Sequence, residues 1–142
     1  MLLGFEDAFM EIQSGYITLC LDLAGNVDEV NVFIYQDDVS CTFNAFFVKD
    51  GKIITPDESA AESIVDKFYE LGVEDIDKLI GVCEKFDHKC PNEFRLTYNT
   101  HTKHFDAKYG YSNYAETSEL TPFDVFVDWM NSYSQSETEL ST

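Results

Sequence analysis

The feature that most restricts the fold is a period-two alternation of apolar side chains that begins near residue 30. The alternation covers residues 30–35 and 41–48, and Asp50-Gly51 follows the second run. Alternation of this kind is typical of β-strands, and Asp-Gly is a strong signal for a two-residue hairpin turn. A short third strand is expected from Lys52 to Thr55. Because strands joined by tight turns are antiparallel, this segment predicts a three-stranded meander.

Helical patterns lie on both sides of the meander. The spacing of apolar residues over 5–23 predicts an amphipathic helix that ends near Gly25-Asn26. Thr55-Pro56-Asp57-Glu58 has the form of a capping box with proline at the first helical position, which predicts a second helix. Gly72 is expected to end that helix. A third helix follows, whose apolar face would consist of Ile76, Leu79, Ile80, Cys83 and Phe86.

The rest of the chain returns to a period of two and then to a helical pattern. Residues 94–98 and 105–111 alternate around a turn at 99–102, and Thr121-Pro122 opens a last helix with Phe123, Phe126, Val127 and Met130 inward. The sequence therefore predicts an α+β fold in the order α-β-β-β-α-α-β-β-α, with a single antiparallel sheet of about five strands and helices packed mainly on one face. Residues 1–133 would form one domain, and residues 134–142 a polar, frayed tail.

The charge balance restricts the classes of partner. The 142 residues include 27 Asp and Glu but only 9 Lys and Arg, which gives a formal net charge of -18. A surface this acidic repels nucleic acids and anionic membranes, so we expect no direct contact with nucleic acid. It attracts basic proteins and accelerates their encounter with the chain. Adaptation to high salt is another physical reason for such an excess of acid.

Other features bear on the compartment. No segment is long and apolar enough to span a bilayer, and residues 1–5 lack the basic region and the long apolar run of a signal peptide. We therefore expect a cytoplasmic protein without a membrane partner. In that compartment thiols stay reduced, so four free thiols are expected at Cys20, Cys41, Cys83 and Cys90.

Tyr35-Gln36-Asp37-Asp38 lies between two apolar strands, as do the paired metal-binding carboxylates of reverse transcriptases. Polymerase chemistry needs metals held by carboxylates and basic residues that neutralise phosphates. Glu29 is a conceivable third carboxylate, but the 9 basic residues are scattered along an acidic chain. Asp-Asp is also a common pair in turns. We therefore predict that Asp37 and Asp38 form a turn, where they are candidates for an exposed anionic contact.

Patterns for metal binding and nucleophilic catalysis are weak. Cys83, His88 and Cys90 have C-x4-H-x-C spacing, and His101 and His104 have H-x2-H spacing, neither of which is usual in structural zinc sites. The sequence contains no G-x-S-x-G motif and no glycine-rich phosphate loop. We therefore expect no catalytic residues, no metal and no cofactor, and thus a protein that is not an enzyme.

Aromatic residues are a second kind of candidate contact. The strand at 41–48 has apolar side chains on both faces, so either both faces are covered or the outer one is a contact surface. Core packing is the ordinary role of such residues, whereas an aromatic patch ringed by acids would suit a basic protein partner. The candidates for an exposed patch are Phe33, Tyr35, Phe46, Tyr109, Tyr111 and Tyr114.

Three segments carry a resemblance to a known family: LCLDLAGNVDEVNVFIY at 19–35, FFVKDGKII at 46–54 and CPNEFRLTYNTHTKHFDAKYGY at 90–111. Together they resemble the YezG-type immunity family, from the first helix to about Phe126. Members of that family are small bacterial proteins that neutralise toxin domains of polymorphic toxin systems, often nucleases. The resemblance implies an antitoxin and supplies no catalytic residues.

These observations lead to the hypothesis of a non-enzymatic immunity protein that binds a cognate toxin domain. Because nucleases bind phosphates and are basic around their sites, an acidic inhibitor could occlude such a site. The alternatives are an acidic adaptor for a basic partner that is not a toxin, and a small enzyme with an unrecognised site. The predicted partner-binding residues are Asp37 and Asp38 at the turn, Tyr35 and Phe46 as aromatic anchors, and Glu74, Asp75 and Asp77 at a helix start.

Overall fold

The computed structural model describes residues 4–113 and 121–140, with the side chains of the last helix described as far as Tyr133. The elements of these residues are α1 (Phe5–Ala24), β1 (Glu29–Gln36), β2 (Cys41–Lys49), β3 (Lys52–Ile54), α2 (Pro56–Ser59), α3 (Glu62–Lys85), β4 (Glu93–Asn99), β5 (Phe105–Gly110) and α4 (Pro122–Leu140). The strands form one antiparallel sheet in the order β3-β2-β1-β4-β5. The predicted α+β class and the order of the elements are confirmed.

The side chains of β1 alternate between two apolar clusters on opposite faces of the sheet. Val30, Val32 and Ile34 lie in the larger cluster, together with the buried faces of α1 and α3. Phe33 and Tyr35 lie in the smaller one, which α4 closes with Val125 and Phe126. The helices thus lie mainly on one face, as predicted, while α4 crosses the other. Both faces of β2 are covered as a result.

Local signals in the sequence explain most of the turns and helix ends. Asp50 and Gly51 both have positive φ, 51° and 76°, as a two-residue type I′ hairpin requires. Gly25 ends α1 with a φ of 71°, and its N–H donates to the carbonyl of Leu21. Thr55 and Glu58 form the predicted capping box at the start of α2.

Gly72 does not end a helix, contrary to the prediction, because α3 runs through it without interruption. The absence of a side chain there makes room for the ring of Phe43 from β2. The hydroxyl of Tyr16 on α1 donates to the Gly72 carbonyl at 2.6 Å. Gly72 therefore serves the close packing of α3 on α1 and the sheet. The predicted second helix is divided: its first turn is α2, and the rest of it joins the predicted third helix in α3.

The last helix begins as predicted, with reciprocal hydrogen bonds between Thr121 and Asp124. The hydroxyl of Tyr133 lies within hydrogen-bond distance of Glu29 Oε1 (3.2 Å) and Asn31 Oδ1 (3.1 Å) of β1, which ties α4 to the sheet. Phe123 was expected inward and is 57% exposed. The helix continues to Leu140, and the fraying of residues 134–142 stays a prediction. Within the described residues, no helix has the length and apolar character needed to cross a membrane.

Candidate partner-binding surface

Asp37 organises the turn between β1 and β2. Its Oδ1 accepts hydrogen bonds from the backbone N–H groups of Val39 (2.8 Å) and Ser40 (2.7 Å), and its Oδ2 accepts one from the hydroxyl of Tyr35 (2.6 Å). Its own N–H donates to the carbonyl of Ser40. The hydrogen bonds accepted by the Asp37 carboxylate hold its pKa below the usual range, and the bond from Tyr35 has the largest effect. The carboxylate therefore stays ionised and fixed in position at neutral pH.

The geometry of this turn favours the structural reading of Asp37 over a catalytic one. A general base near neutral pH needs a raised pKa, whereas the pKa of Asp37 is lowered. Both of its oxygens already accept hydrogen bonds from within the turn. Asp38 next to it is exposed at the tip, beside Val39, which is 85% exposed. The pair thus presents one anchored and one freely solvated carboxylate.

Two adjoining hollows lie beside this turn. The first has a volume of about 680 Å³, and Asp37, Asp38, Cys90 and Asn113 contribute to its polar lining. The second, of about 440 Å³, lies between α1 and the end of β5 and is mostly aromatic, with a lining that includes Phe5, Phe9, His88, Tyr109 and Tyr111. Lys89 and Tyr111 line both, so an acidic hollow continues directly into an aromatic one.

Tyr109 and Tyr111 are the members of the predicted aromatic patch that do reach the surface. Their exposed fractions are 41% and 53%. The hydroxyl of Tyr109 donates to Oε1 of Gln13 on α1, and the ammonium of Lys89 lies 5.5 Å from the centre of the Tyr111 ring. Tyr114 lies outside the described residues. Half-exposed tyrosines beside carboxylates are the kind of contact that protein interfaces favour.

Tyr35 and Phe46 are fully buried, so the expectation that they belong to an exposed patch is wrong. Helix α4 covers them, and the Phe46 ring makes edge contacts with Trp129 and Tyr133. The sequence could not reveal this, because the contact joins strands near residue 40 to a helix near residue 130. In this structure the buried Tyr35 acts on the surface indirectly, through the contacts of its hydroxyl with Asp37 and Asn113.

The three acids predicted at a helix start lie instead in the interior of α3. Glu74 and Asp77 are exposed, whereas Asp75 is half-buried and forms an ion pair with Lys78 at 3.1 Å. Asp77 lies near the β1–β2 turn. Both acids act on the thiol of Cys41 at the start of β2. Desolvation raises the pKa of this thiol, and the negative charges of Asp77 and Asp37 raise it further.

The fold thus brings together acids from two distant segments, Asp37 with Asp38 and Asp77 with Asp75, at the same end of the molecule. The pKa of the Tyr16 hydroxyl is also raised, first by burial and then by the negative charges of Asp75, Cys41 and Asp77. Among these predicted site residues, Asp38, Glu74 and Asp77 have exposed side chains that need no rearrangement to meet a partner.

The weak candidates for a metal site are distributed among separate environments. Burial raises the pKa of the Cys83 and Cys90 thiols, that of Cys90 to about 12. His88 stacks on Phe5 with ring centres 3.9 Å apart. His101 Nε2 lies 2.7 Å from Asp28 Oδ1. Across residues 4–113 and 121–140, no three His, Cys, Asp or Glu side chains are grouped as metal ligands would be.

Sequence reasoning missed two buried amides. Gln13 of α1 and Asn31 of β1 are both fully buried, and the Nδ2 or Nε2 atom of each has no hydrogen-bond acceptor among the described residues. Asn31 Oδ1 accepts from Thr97 and Tyr133, and Gln13 Oε1 accepts from Tyr109. In the sequence, both residues occupy positions at which the periodic pattern of their helix or strand expects a buried apolar side chain. That pattern predicts that the amide is buried, but it does not predict which group forms a hydrogen bond with it.

Comparisons with known proteins add no assignment. No protein-family model matches the chain, and a search of curated proteins found none that matches its sequence. The resemblance to the YezG-type immunity family therefore stays a hypothesis that rests on the three quoted segments.

Proposed function

We propose that the protein is an immunity protein that binds and inhibits a cognate toxin domain, and that this toxin is a basic nuclease. The observation that carries the proposal is the uncompensated acidity of the chain: 27 acidic against 9 basic residues. Like charges crowded on one small domain destabilise the folded state, so a positively charged partner is a physical reason for keeping them. The resemblance to immunity proteins supplies the class of partner.

Inhibition would follow from occlusion of the nuclease active site. A nuclease holds phosphates with Lys and Arg, and carboxylates such as Asp38, Glu74 and Asp77 can occupy the same positive sites. Carboxylates at fixed positions bind better than mobile ones, because less conformational freedom is lost on binding. Asp37 is such a fixed carboxylate, because it is held by hydrogen bonds from the backbone of its turn and from the hydroxyl of Tyr35. The acidic excess also steers the encounter.

The decisive experiment is an inhibition assay with the cognate toxin domain, for which the genes that neighbour this one are the first candidates. The purified chain should abolish its activity at a stoichiometry of about one to one, as tight complexes do. A pull-down from host lysate at low and moderate salt provides the complementary measurement. Retention of one stoichiometric toxin-like protein at moderate salt supports the proposal. Capture of a single basic partner without toxic activity would instead support the acidic adaptor.

A charge-reversal variant tests whether the β1–β2 turn takes part. Replacing Asp37 and Asp38 by Lys should lower the association rate constant at low salt by roughly tenfold and flatten its salt dependence, because both effects follow from electrostatic steering. The matched control reverses Glu62 and Asp66 at the other end of α3, which changes the net charge equally. If both variants associate equally fast, the turn is not part of the interface.

A further inference from the structure

A second surface, which adjoins the hollow beside the β1–β2 turn at one end, runs along the edge of the sheet. We call it the α1–β5 groove. Met10, Ile17 and Leu21 of α1 form one wall, and Phe105, Tyr109 and Tyr111 at β5 form the other. It consists of two hollows of about 440 and 320 Å³ that share Met10. Its lining is mostly apolar and lies between a helix and an edge strand, with Glu6, His88 and Lys89 at the Tyr111 end.

The strand that borders this groove has main-chain groups without partners in the sheet. β5 pairs with β4 on one side and lies at the end of the strand order. The carbonyls of His104 and Gly110 accept hydrogen bonds from Asn99 and Asn92, so the even-numbered residues face β4. By the alternation of an antiparallel ladder, the main-chain groups of Phe105, Ala107 and Tyr109 then face outward. No hydrogen bond from the described part of the chain reaches them.

The groove is also exposed and has a polarity along its length. Met10, Tyr109 and Tyr111 are 37%, 41% and 53% exposed, which is unusual for large apolar side chains grouped on one surface. At the Tyr111 end, Glu6 and Lys89 line the groove itself, and the adjoining hollow of about 680 Å³ adds the carboxylates of Asp37 and Asp38. That end is therefore negative, while the Phe105 end is apolar.

We propose that the α1–β5 groove binds an extended segment of the partner protein, which pairs with the outer edge of β5 as an additional strand. Alternate apolar side chains of that segment would enter the two hollows, and a Lys or Arg would lie at the acidic end. Strand addition to an open edge is a common mode of recognition, in which main-chain bonds give affinity and side-chain pockets give specificity. The proposal rests on the proposed function for the identity of the partner.

Two variants and a control test the groove in the same inhibition assay with the cognate toxin domain. Ala107→Pro removes an outward N–H and should block strand addition, yet edge strands tolerate proline at such positions. Met10→Lys puts a positive charge on the wall shared by the two hollows. Ile64→Lys makes the same change of charge at an exposed apolar residue of α3 that lines neither hollow of the groove. Thermal unfolding of each variant reports whether it folds.

If the groove binds the partner, Ala107→Pro and Met10→Lys should each weaken inhibition at least tenfold, a loss of the size expected from a few main-chain bonds or one buried charge. Ile64→Lys should inhibit like the wild type. In the complex, the amides of Phe105, Ala107 and Tyr109 should exchange hydrogen more slowly. If Ala107→Pro does not fold, Met10→Lys and the hydrogen-exchange measurement still show whether the groove binds the partner.

The other outcomes are distinct. Full inhibition by both folded groove variants, without protection of the β5 amides, would overturn the groove and leave the immunity function standing. A free chain that dimerises, and a Met10→Lys variant that is monomeric but still inhibits, would identify a second copy as the occupant and also overturn it. A wild-type chain that does not bind the toxin domain would overturn the proposed function and this inference with it.

Discussion

Gly72→Ala provides the sharpest test of the packing between α3 and the sheet. Glycine in a helix interior is less favourable than alanine by roughly 1 kcal/mol, so propensity alone predicts that the substitution stabilises the protein. The structure predicts the opposite sign. A Cβ at position 72 would lie less than 3.0 Å from three carbons of the Phe43 ring, which is closer than side-chain packing permits.

The magnitude follows from how little the ring can move. Phe43 already contacts the rings of Tyr16, Phe68 and Tyr69, with centres 5.1 to 6.0 Å apart. Overpacking of a filled core costs roughly 1–3 kcal/mol, and the enclosed ring places this case at the upper end. After subtracting the gain in helix propensity, we expect Gly72→Ala to lower the free energy of unfolding by about 2 kcal/mol.

Urea unfolding followed by circular dichroism measures this change, and Gly81→Ala is the matched control. Gly81 lies in the same helix, is exposed, and has open space where its Cβ would be. That variant should gain roughly 0.5–1 kcal/mol. Phe43→Leu should partly rescue Gly72→Ala, because the two changes act on one contact. If Gly72→Ala is as stable as the wild type, the close approach of Phe43 and the account of Gly72 given above are wrong.

Two further predictions concern buried polar groups. Tyr35→Phe should destabilise the protein at neutral pH, because it removes a hydrogen bond to ionised Asp37. The pKa of Asp37 is lowered in the folded state, so the extra stability of the wild type over Tyr35→Phe should be complete above the ordinary pKa of 3.8. It should disappear as pH falls through the folded-state pKa of Asp37. If acid unfolding shows a stability difference between the two proteins that does not depend on pH, the prediction is wrong. Gln13→Leu should raise the urea midpoint of unfolding, by an amount equivalent to about 1 kcal/mol, because it removes a buried amide donor that has no acceptor. The hydroxyl of Tyr109, which loses its partner, belongs to a half-exposed residue and can form a hydrogen bond with water instead. A lower midpoint would mean that the amide is satisfied in the native protein.

The parts of the fold that were predictable are those coded by neighbouring residues. Asp50-Gly51 specifies its turn because both positions need positive φ, and Thr55 with Glu58 forms a capping box within one turn of chain. The period of each strand identified which side chains share a face. Such signals depend on distances of two to four residues, so a sequence contains them in full.

The errors arise where two distant segments meet. Gly72 looks like a helix end in sequence, and only the ring of Phe43, 29 positions earlier in the chain, shows why a glycine lies there. Tyr35 and Phe46 looked like surface candidates until α4 covered them. The α1–β5 groove was not predicted for the same reason. Only the strand order places β5 at an edge beside α1.

The position of β1 at the centre of the sheet has a consequence for the order in which the protein assembles. β1 pairs with β2, which follows it directly, and with β4, which is separated from it by β2, β3, α2 and α3. Closing so long a loop costs entropy before any contact compensates for it, so we expect the pairing of β1 with β4 to form late in folding. On the ribosome, β1 would present an unpaired apolar edge until β4 has emerged. The nascent chain is then most exposed to aggregation and to chaperones while α3 is being synthesised.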